Sequence, residues 1–453
     1  MNAMFRSLAG VNYRIWFAGA LISNVGTWMQ RTAQDWFVLT ELTDNDAAAV
    51  GVTMALQFGP ALVIGPLAGI IADRMPGRRL LAVTQVAQAL LALALGLIIV
   101  LGIAELWMVY LLALGLGIAT AVDAPARQTF VGELVGPADL PNAVALNSAS
   151  FNTARLIGPA VAGFLTVLVG AGWVILINVL TFAAMLIALG LLRAAELHPV
   201  PKAGRGRGQL RAGIRYVAQR SDLVIVFTMV FLIGTFGFNF AIFTATMARV
   251  EFGRDAADFG GLSSIFAIGS VAGALVTARR ERPRLRVIVV ATLGFVATMI
   301  VAALMPTFEL FALALILVGY FALTMITSAN AYVQTTTRAS IRGRVMALYL
   351  TIFMGGTPVG APVLGLVANE LGPRWAMGVG ALAGLLAAAV AVLWMRARHN
   401  LRIRRHPADD PWWRLRVRYD GDDTERADHT RRMRDLETAT TEIAIIEAEA
   451  RKT

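Results

Sequence analysis

Eleven residues organise the chain: Gly69-Ile-Ile-Ala-Asp73-Arg74-Met-Pro76-Gly77-Arg78-Arg79. They join two long apolar runs. Gly69 lies near the end of the first run, where a residue without a Cβ lets a neighbouring helix come close. Pro76-Gly77 is strong turn punctuation. Asp73 and three arginines crowd the turn, which predicts a compact charge cluster at one face of a membrane. An ordinary inside loop obeying the positive-inside rule produces a similar pattern, so the stretch alone leaves both a gate and a plain loop open.

Working outward, the apolar runs repeat. Hydrophobic residues make up 57% of the chain and charged residues only 15%, with mean hydropathy +0.66. A soluble protein of this composition would expose far larger apolar patches than solubility permits. A bilayer core about 30 Å thick takes roughly 20 apolar residues per helix. Twelve runs qualify, at approximately 14–40, 48–72, 80–101, 105–126, 141–169, 172–192, 223–248, 258–278, 286–305, 308–331, 344–369 and 374–396. They are too long for barrel strands, and only helices or closed barrels can span lipid. The predicted fold is therefore an all-α membrane protein of twelve helices. Residues 1–192 form one six-helix half, 193–222 a linker, 223–396 a second half and 397–453 a basic tail.

The net charge of +11 is distributed unevenly. With the amino terminus inside, 21 Lys and Arg fall in the inside loops and terminus and 14 in the tail from Arg396, against three outside (Arg249, Arg254, Arg374). This asymmetry predicts both termini in the cytoplasm, the protein lying in the cell membrane. Anionic lipid headgroups account for the basic surface, and no nucleic-acid partner is needed. The chain has no cysteine and four scattered histidines, so no metal centre or other cofactor is expected. The first thirteen residues are not expected to form a cleavable signal peptide, and no Gly-rich phosphate loop ends in Lys-Ser/Thr. Any solute movement must draw on an ion or solute gradient, and no enzymatic constellation is present.

Polar residues inside apolar runs mark the site. In the first run Asn24, Trp28, Arg31 and Asp35 follow at i, i+4, i+7 and i+11, on one helical face, with Gln34 beside them. Intramembrane charge costs a few kcal/mol even on lenient scales, so this face must meet protein or an aqueous cavity. Arg31 and Asp35 can neutralise each other as an i, i+4 pair; alternatively Asp35 is a proton carrier tuned by the arginine. In the fifth run Ser148, Asn152, Arg155 and Pro159 share a face. Arg155 is about 21 Å into that helix, close to the midplane, with no acid within its own turns. It calls for a partner on another helix, a cavity or an anionic ligand. Asp123 and Arg127 end the fourth run as another i, i+4 pair, either a local bridge or a partner for Asp73. Gly158, Pro159 and Gly163 offer close packing and a bend.

Several stretches together resemble the major facilitator superfamily, in its branch of drug:proton antiporters that includes enterobactin-type siderophore exporters and macrolide efflux pumps. They are Asn12-Tyr13-Arg14-Ile-Trp16, Ser23-Asn-Val-Gly26-Thr-Trp28-Met-Gln30, the Asp73 loop, Asp123-Ala-Pro-Ala-Arg-Gln and Arg155-Leu-Ile-Gly-Pro. The loop departs from the family pattern, with two residues rather than one between Asp73-Arg74 and Gly77. The resemblance implies that the loop of Gly69, Asp73, Arg74, Arg78 and Arg79 forms a cytoplasmic gate, latching helix 2 to helix 11 in the outward-facing state, with Asp123 and Arg127 as the candidate partners of Asp73 in it. It implies that Gly158-Pro159-x-x-x-Gly163 is a partial antiporter motif biasing the protein toward export. The second half echoes the first weakly: Gly273 to Arg280 repeats the opening loop with Thr277 in place of Asp, and Gly360 to Gly365 echoes Gly158 to Gly163. Such repetition is typical of secondary transporters, with binding near the midplane. Asn239, Asn330 and Gln334 are the second half's cavity candidates.

These readings predict a monomeric, proton-coupled exporter of a small amphiphilic organic molecule: a siderophore, metabolite or drug. The arginines favour an anionic or amphiphilic substrate. Uptake symport on the same fold and a non-transporting sensor signalling through its tail are the alternatives. The linker is expected to carry a basic amphipathic surface helix over 209–220. The tail is expected to lay its tryptophans at the interface around 412–419 and to form a short helix over 422–452.

Overall fold

The computed structural model describes residues 3–136, 138–198, 209–278, 284–338, 341–399, 402–404 and 416–418. Two compact units are distinguished, Met1–Ala387 and Ala388–Thr453, with the boundary within the last long helix.

The first unit begins with a short 3-10 segment, Ala3–Ala9, and continues as α1 (Val11–Phe37), α2 (Ala47–Arg74), α3 (Gly77–Val100), α4 (Leu106–Leu134), α5 (Leu140–Val169) and α6 (Ala171–Leu191). After the connection come α7 (Gln209–Ala218), α8 (Ser221–Leu232), α9 (Phe240–Thr246), α10 (Ala256–Ala278), α11 (Leu285–Ala303), α12 (Phe308–Thr336), α13 (Arg342–Gly355), α14 (Thr357–Leu371) and the start of α15 (Pro373–His399). Eleven stretches among the described residues are long and apolar enough to cross a membrane. Large apolar side chains such as Val63, Leu180 and Leu313 are exposed along them, as a lipid-facing surface requires.

Two predicted runs differ from the regular apolar helices around them. α1 is not among those eleven stretches, because Asn24, Gln30, Arg31, Gln34 and Asp35 dilute its apolar content. The seventh predicted run is not one continuous helix. α8 passes through a π-helical turn at Ile233–Gly237, leaves helical geometry at Phe238 and Asn239, and resumes as α9. Glycines at 234 and 237 and a run of bulky phenylalanines weaken the regular ladder there.

The expected surface helix is present as α7. Arg220, just after it, makes a two-point ion pair with Asp222 at 2.8 and 2.5 Å and donates to the Thr336 carbonyl at 3.2 Å. The Tyr332 hydroxyl donates to Asp222 at 3.0 Å, so α7 is tethered to α8 and the end of α12.

In the second unit, Arg402–Arg404 and Arg416–Arg418 pair as antiparallel strands, Ile403 opposite Val417, a small departure from an all-α chain. The strand takes part of the stretch assigned to the membrane interface. The rest of the tail readings, the linker residues 199–208 and the Arg279-Arg280 echo lie outside the described residues.

One hydrophobic cluster fixes the end of the first helices where the opening motif lies. It joins Tyr13, Trp16, Leu80, Leu81, Phe130, Val131, Leu134 and Met185. Trp16 and Phe130 rings lie 5.1 Å apart. The Tyr13 hydroxyl donates to the Ala143 carbonyl at 2.7 Å, and Asn12 bridges to the Arg193 backbone at 2.9 and 3.0 Å. The Asn12-Tyr13-x-x-Trp16 stretch is thus an anchor binding α1 to the start of α5 and the end of α6. Gly77 is buried in the same region, where a Cβ would come within 2.8 Å of the Phe130 ring.

Candidate functional site

A cavity of about 330 Å³ lies in the first unit between α1, α2 and α5 on one side and the α8–α9 break, α9, α10 and α12–α14 on the other. Of the predicted residues, Trp28, Arg31, Asp35, Asn152, Arg155 and Pro159 line it. α1 supplies the first three because its polar residues recur at helical spacing, and α1 packs along both α5 and α6.

Gly158 explains how Arg155 reaches α1. A Cβ at Gly158 would lie 2.6 Å from the Trp28 Cβ, so the two backbones meet there. One turn earlier, the Arg155 guanidinium carbon comes within 5.8 Å of the Trp28 ring centroid. Arg31 stands over the same ring at 5.3 Å and over Phe58 at 4.7 Å. The negative face of an aromatic ring attracts a guanidinium, by about 2 kcal/mol when desolvated. Arg155 and Asn152 are exposed although they sit well inside the helix, so the cavity admits solvent.

Arg31 and Asp35 do not form the ion pair that their spacing allows: none within 4 Å joins them. Arg31 turns to the aromatic rings instead, and its Nε has no hydrogen-bond acceptor among the described residues. Asp35 is 4% exposed, and its Oδ1 has no donor among them. Such a carboxylate is costly to keep charged where it stands.

The remaining candidates fall elsewhere. Asn24 and Gln34 do not line the cavity; Gln34 is fully buried with neither amide atom partnered among the described residues. Gln30, beside them, accepts from Asn178 of α6 at 2.6 Å. Asn239 is buried at the α8–α9 break and donates to the Thr235 carbonyl at 2.7 Å. Asn330 and Gln334 bond to each other at 2.7 Å, outside the lining.

The gate candidates divide. Asp123 and Arg127 pair with each other, and Asp123 also accepts from Thr84 at 2.6 Å and Gln85 at 2.9 Å of α3. Arg127 donates to Ser23 of α1 at 3.2 Å. This buried network ties α1, α3 and α4 together, so Asp123 has partners within its own helices. Arg78 donates to the Gly190 carbonyl of α6 at 3.0 Å, and Arg79 is exposed. The side chains of Asp73 and Arg74 and the surroundings of Gly69 lie outside the described residues.

At the end of the bundle carrying the α1–α2 loop, the cavity is sealed by backbone contacts. A Cβ at Gly51 would lie 2.7 Å from the Pro362 Cα, and one at Gly365 2.6 Å from that of Ala48. Gly163 of α5 meets Gly260 of α10 as closely, since a Cβ at Gly163 would lie 2.9 Å from the Gly260 Cα. Asn369 caps the seal, donating to Asp46 at 2.6 Å and accepting from the Ala47 amide at 2.8 Å. Trp36 stacks on Phe259 at 5.5 Å beneath it. The exposed Ser148, Asn152 and Arg155 lie on the other side, so the cavity opens toward the Pro76 end.

Sequence reasoning missed the aromatic wall opposite the arginines: Phe238, Phe240, Phe266 and Phe353, with Phe240 and Phe266 rings 3.9 Å apart. In sequence these phenylalanines cannot be told from lipid-facing ones. The Phe238-Asn239-Phe240 run near two glycines was the available signal for the helix break.

Comparison with known proteins matches residues 3–417 to the family described as transmembrane secretion effector. The staphyloferrin A transporter of Staphylococcus aureus is 24% identical over 367 residues, 79% of this chain and 90% of that protein. The enterobactin exporter EntS of Shigella flexneri is 25% identical over 340 residues, 74% and 80% of the two chains. The multidrug efflux pump Tap of Mycolicibacterium fortuitum is 24% identical over 394 residues, 84% and 94%. Among solved structures, the nucleoside transporter NupG superposes with TM-score 0.64 at 15% identity, covering 84% of this chain and 98% of that one. A D-xylose-proton symporter does so with TM-score 0.65 at 12% identity, covering 84% and 96%. These likenesses give the fold.

Proposed function

Because the chain belongs to the transmembrane secretion effector family of major facilitator transporters, we propose that it is a proton-coupled exporter of a small amphiphilic organic molecule, working by alternating access. It is a multi-pass membrane protein and a transporter by family, not an enzyme. In this reading α1 is counted as a span despite its polar face, giving twelve helices in two halves of six. Both termini lie in the cytoplasm of a cell-membrane protein, and the working unit is a monomer. The sealed end then faces outward and the open cavity faces the cytoplasm, where an export substrate enters.

The observation that carries the reading is the cavity itself. It is lined by a buried carboxylate, Asp35, and two arginines from the first half, faces an aromatic wall from the second, and is closed at one end by glycine contacts. Asp35 exchanges its proton as the cavity alternates between sides. Arg31 and Arg155 hold the substrate or tune that carboxylate. Asp73, Arg74, Arg78 and Arg79 belong to the cytoplasmic gate, closing when the outer seal parts, while the Asp123–Arg127 pair braces the helices behind them.

Uptake symport is the second reading. The observation favouring it is that Arg31 and Asp35 face one cavity: an anion held by the arginine would favour a proton on the carboxylate, so the two could travel together. Inverted vesicles separate the readings. With the interior made acid, the exporter accumulates a substrate from a panel of catechol siderophores, macrolides and lipophilic cations, and Asp35→Asn loses the gradient dependence. Accumulation driven by the opposite gradient would establish symport instead.

A further inference from the structure

The two walls of the cavity differ in chemistry, and the difference specifies a ligand. On the α1 and α5 wall the guanidiniums of Arg31 and Arg155 converge on Trp28, at 5.3 and 5.8 Å from its ring. Neither arginine makes an ion pair or hydrogen bond to any described residue. Cations at the lining thus outnumber carboxylates, Arg31 and Arg155 against Asp35. Two guanidiniums held only by ring faces keep their in-plane N–H groups available, and those groups match a planar or tetrahedral oxyanion. The facing wall offers Phe238, Phe240, Phe266 and Phe353, which suits a flat apolar body. The volume, about 330 Å³, stands at the small end of ligand pockets, which run from about 300 to 1,000 Å³.

Taking the cavity as the substrate site, as the proposed function does, we infer that it selects a small aromatic organic anion, bound with its acidic group between Arg31 and Arg155 beside Trp28 and its ring system against the phenylalanines. Asp35 lies one turn beyond Arg31 along α1, roughly 6 Å at helical rise, so the carboxylate stands beside the anion subsite rather than between the two arginines. A lipophilic cation is disfavoured at the same place, because it would face two guanidiniums.

A matched pair of probes tests this on the full chain in zwitterionic phosphatidylcholine nanodiscs. 8-Anilinonaphthalene-1-sulfonate and N-phenyl-1-naphthylamine share one aromatic body and differ by the sulfonate. Saturable binding above protein-free nanodiscs is measured for both, and for tetraphenylphosphonium. The sulfonate is expected to bind at least tenfold tighter than the neutral amine. Arg155→Gln and Arg31→Gln each reduce that preference about tenfold, while Arg155→Lys retains most of it. Phe240→Ala weakens both naphthalenes alike. Monodisperse elution of each variant establishes that it is folded, and the lysine variant separates loss of charge from loss of packing. Equal affinity for the two naphthalenes, no saturable sulfonate binding, an unchanged preference in Arg155→Gln, or tighter binding of tetraphenylphosphonium overturns the inference. None of these outcomes touches the exporter reading, which stands or falls on gradient-driven flux.

Discussion

Arg155 and Arg31, from different helices, both place a guanidinium over the ring of Trp28, at 5.8 and 5.3 Å. Trp28 therefore organises the charged wall. Replacing it by leucine keeps apolar bulk but removes both contacts, each worth about 0.5–2 kcal/mol. The expected result is a rise in substrate KM of about tenfold with little change in protein yield. A KM unchanged in Trp28→Leu would mean that the ring does not hold the arginines in their working positions.

Asp123 is buried, its partner Arg127 is partly buried, and the pair is braced by Thr84, Gln85 and Ser23. Removing one member leaves the other charge uncompensated, which costs about 3–5 kcal/mol. Asp123→Ala should lower the thermal unfolding midpoint in detergent, and Asp123→Ala with Arg127→Ala should recover part of the loss. A double variant less stable than either single one would contradict the pairing.

The seal depends on glycine at 51, where a Cβ has only 2.7 Å to the Pro362 Cα. Gly51→Val should part α2 from α14. The chain contains no cysteine, so spin labels at Asn45→Cys and Arg249→Cys report across the seal without background. Their distance distribution should move to longer values in Gly51→Val; a distribution matching that of the labelled parent would show that the helices tolerate the side chain.

Asp46 and Asn369 touch at 2.6 Å across the same seal. If the seal must open in each cycle, cysteines at both positions should stop transport when oxidised to a disulfide and restore it on reduction. Full transport by the cross-linked protein would mean that this contact persists throughout the cycle.

What could be read in the sequence follows from what periodicity encodes. Charges inside apolar runs are costly wherever they lie, so Arg31, Asp35 and Arg155 stood out, and all three line the cavity. Helical spacing gives the angle of a residue around its helix but not the neighbour it meets. Asn24, Gln34, Asn239, Asn330 and Gln334 were polar in the right runs yet do not line the cavity. The Arg31–Asp35 pair that the spacing allowed lost to the rings of Trp28 and Phe58, an alternative supplied partly by another helix. Gly163 and Gly365 were legible as close-packing glycines, but their partners, and the phenylalanine wall, are tertiary contacts between runs far apart in sequence that no local pattern marks. The interruption at Phe238 and Asn239 was hidden by an apolar run that stays hydrophobic through the break.

The central claim is that Asp35 couples substrate export to proton movement. The most direct measurement is substrate-triggered proton release from acidified inverted vesicles, wild type beside Asp35→Asn. Release in the wild type that is lost in an Asp35→Asn protein inserted at equal level is the predicted result. Release of the same size and pH dependence in Asp35→Asn would contradict the assignment of Asp35 as the carrier.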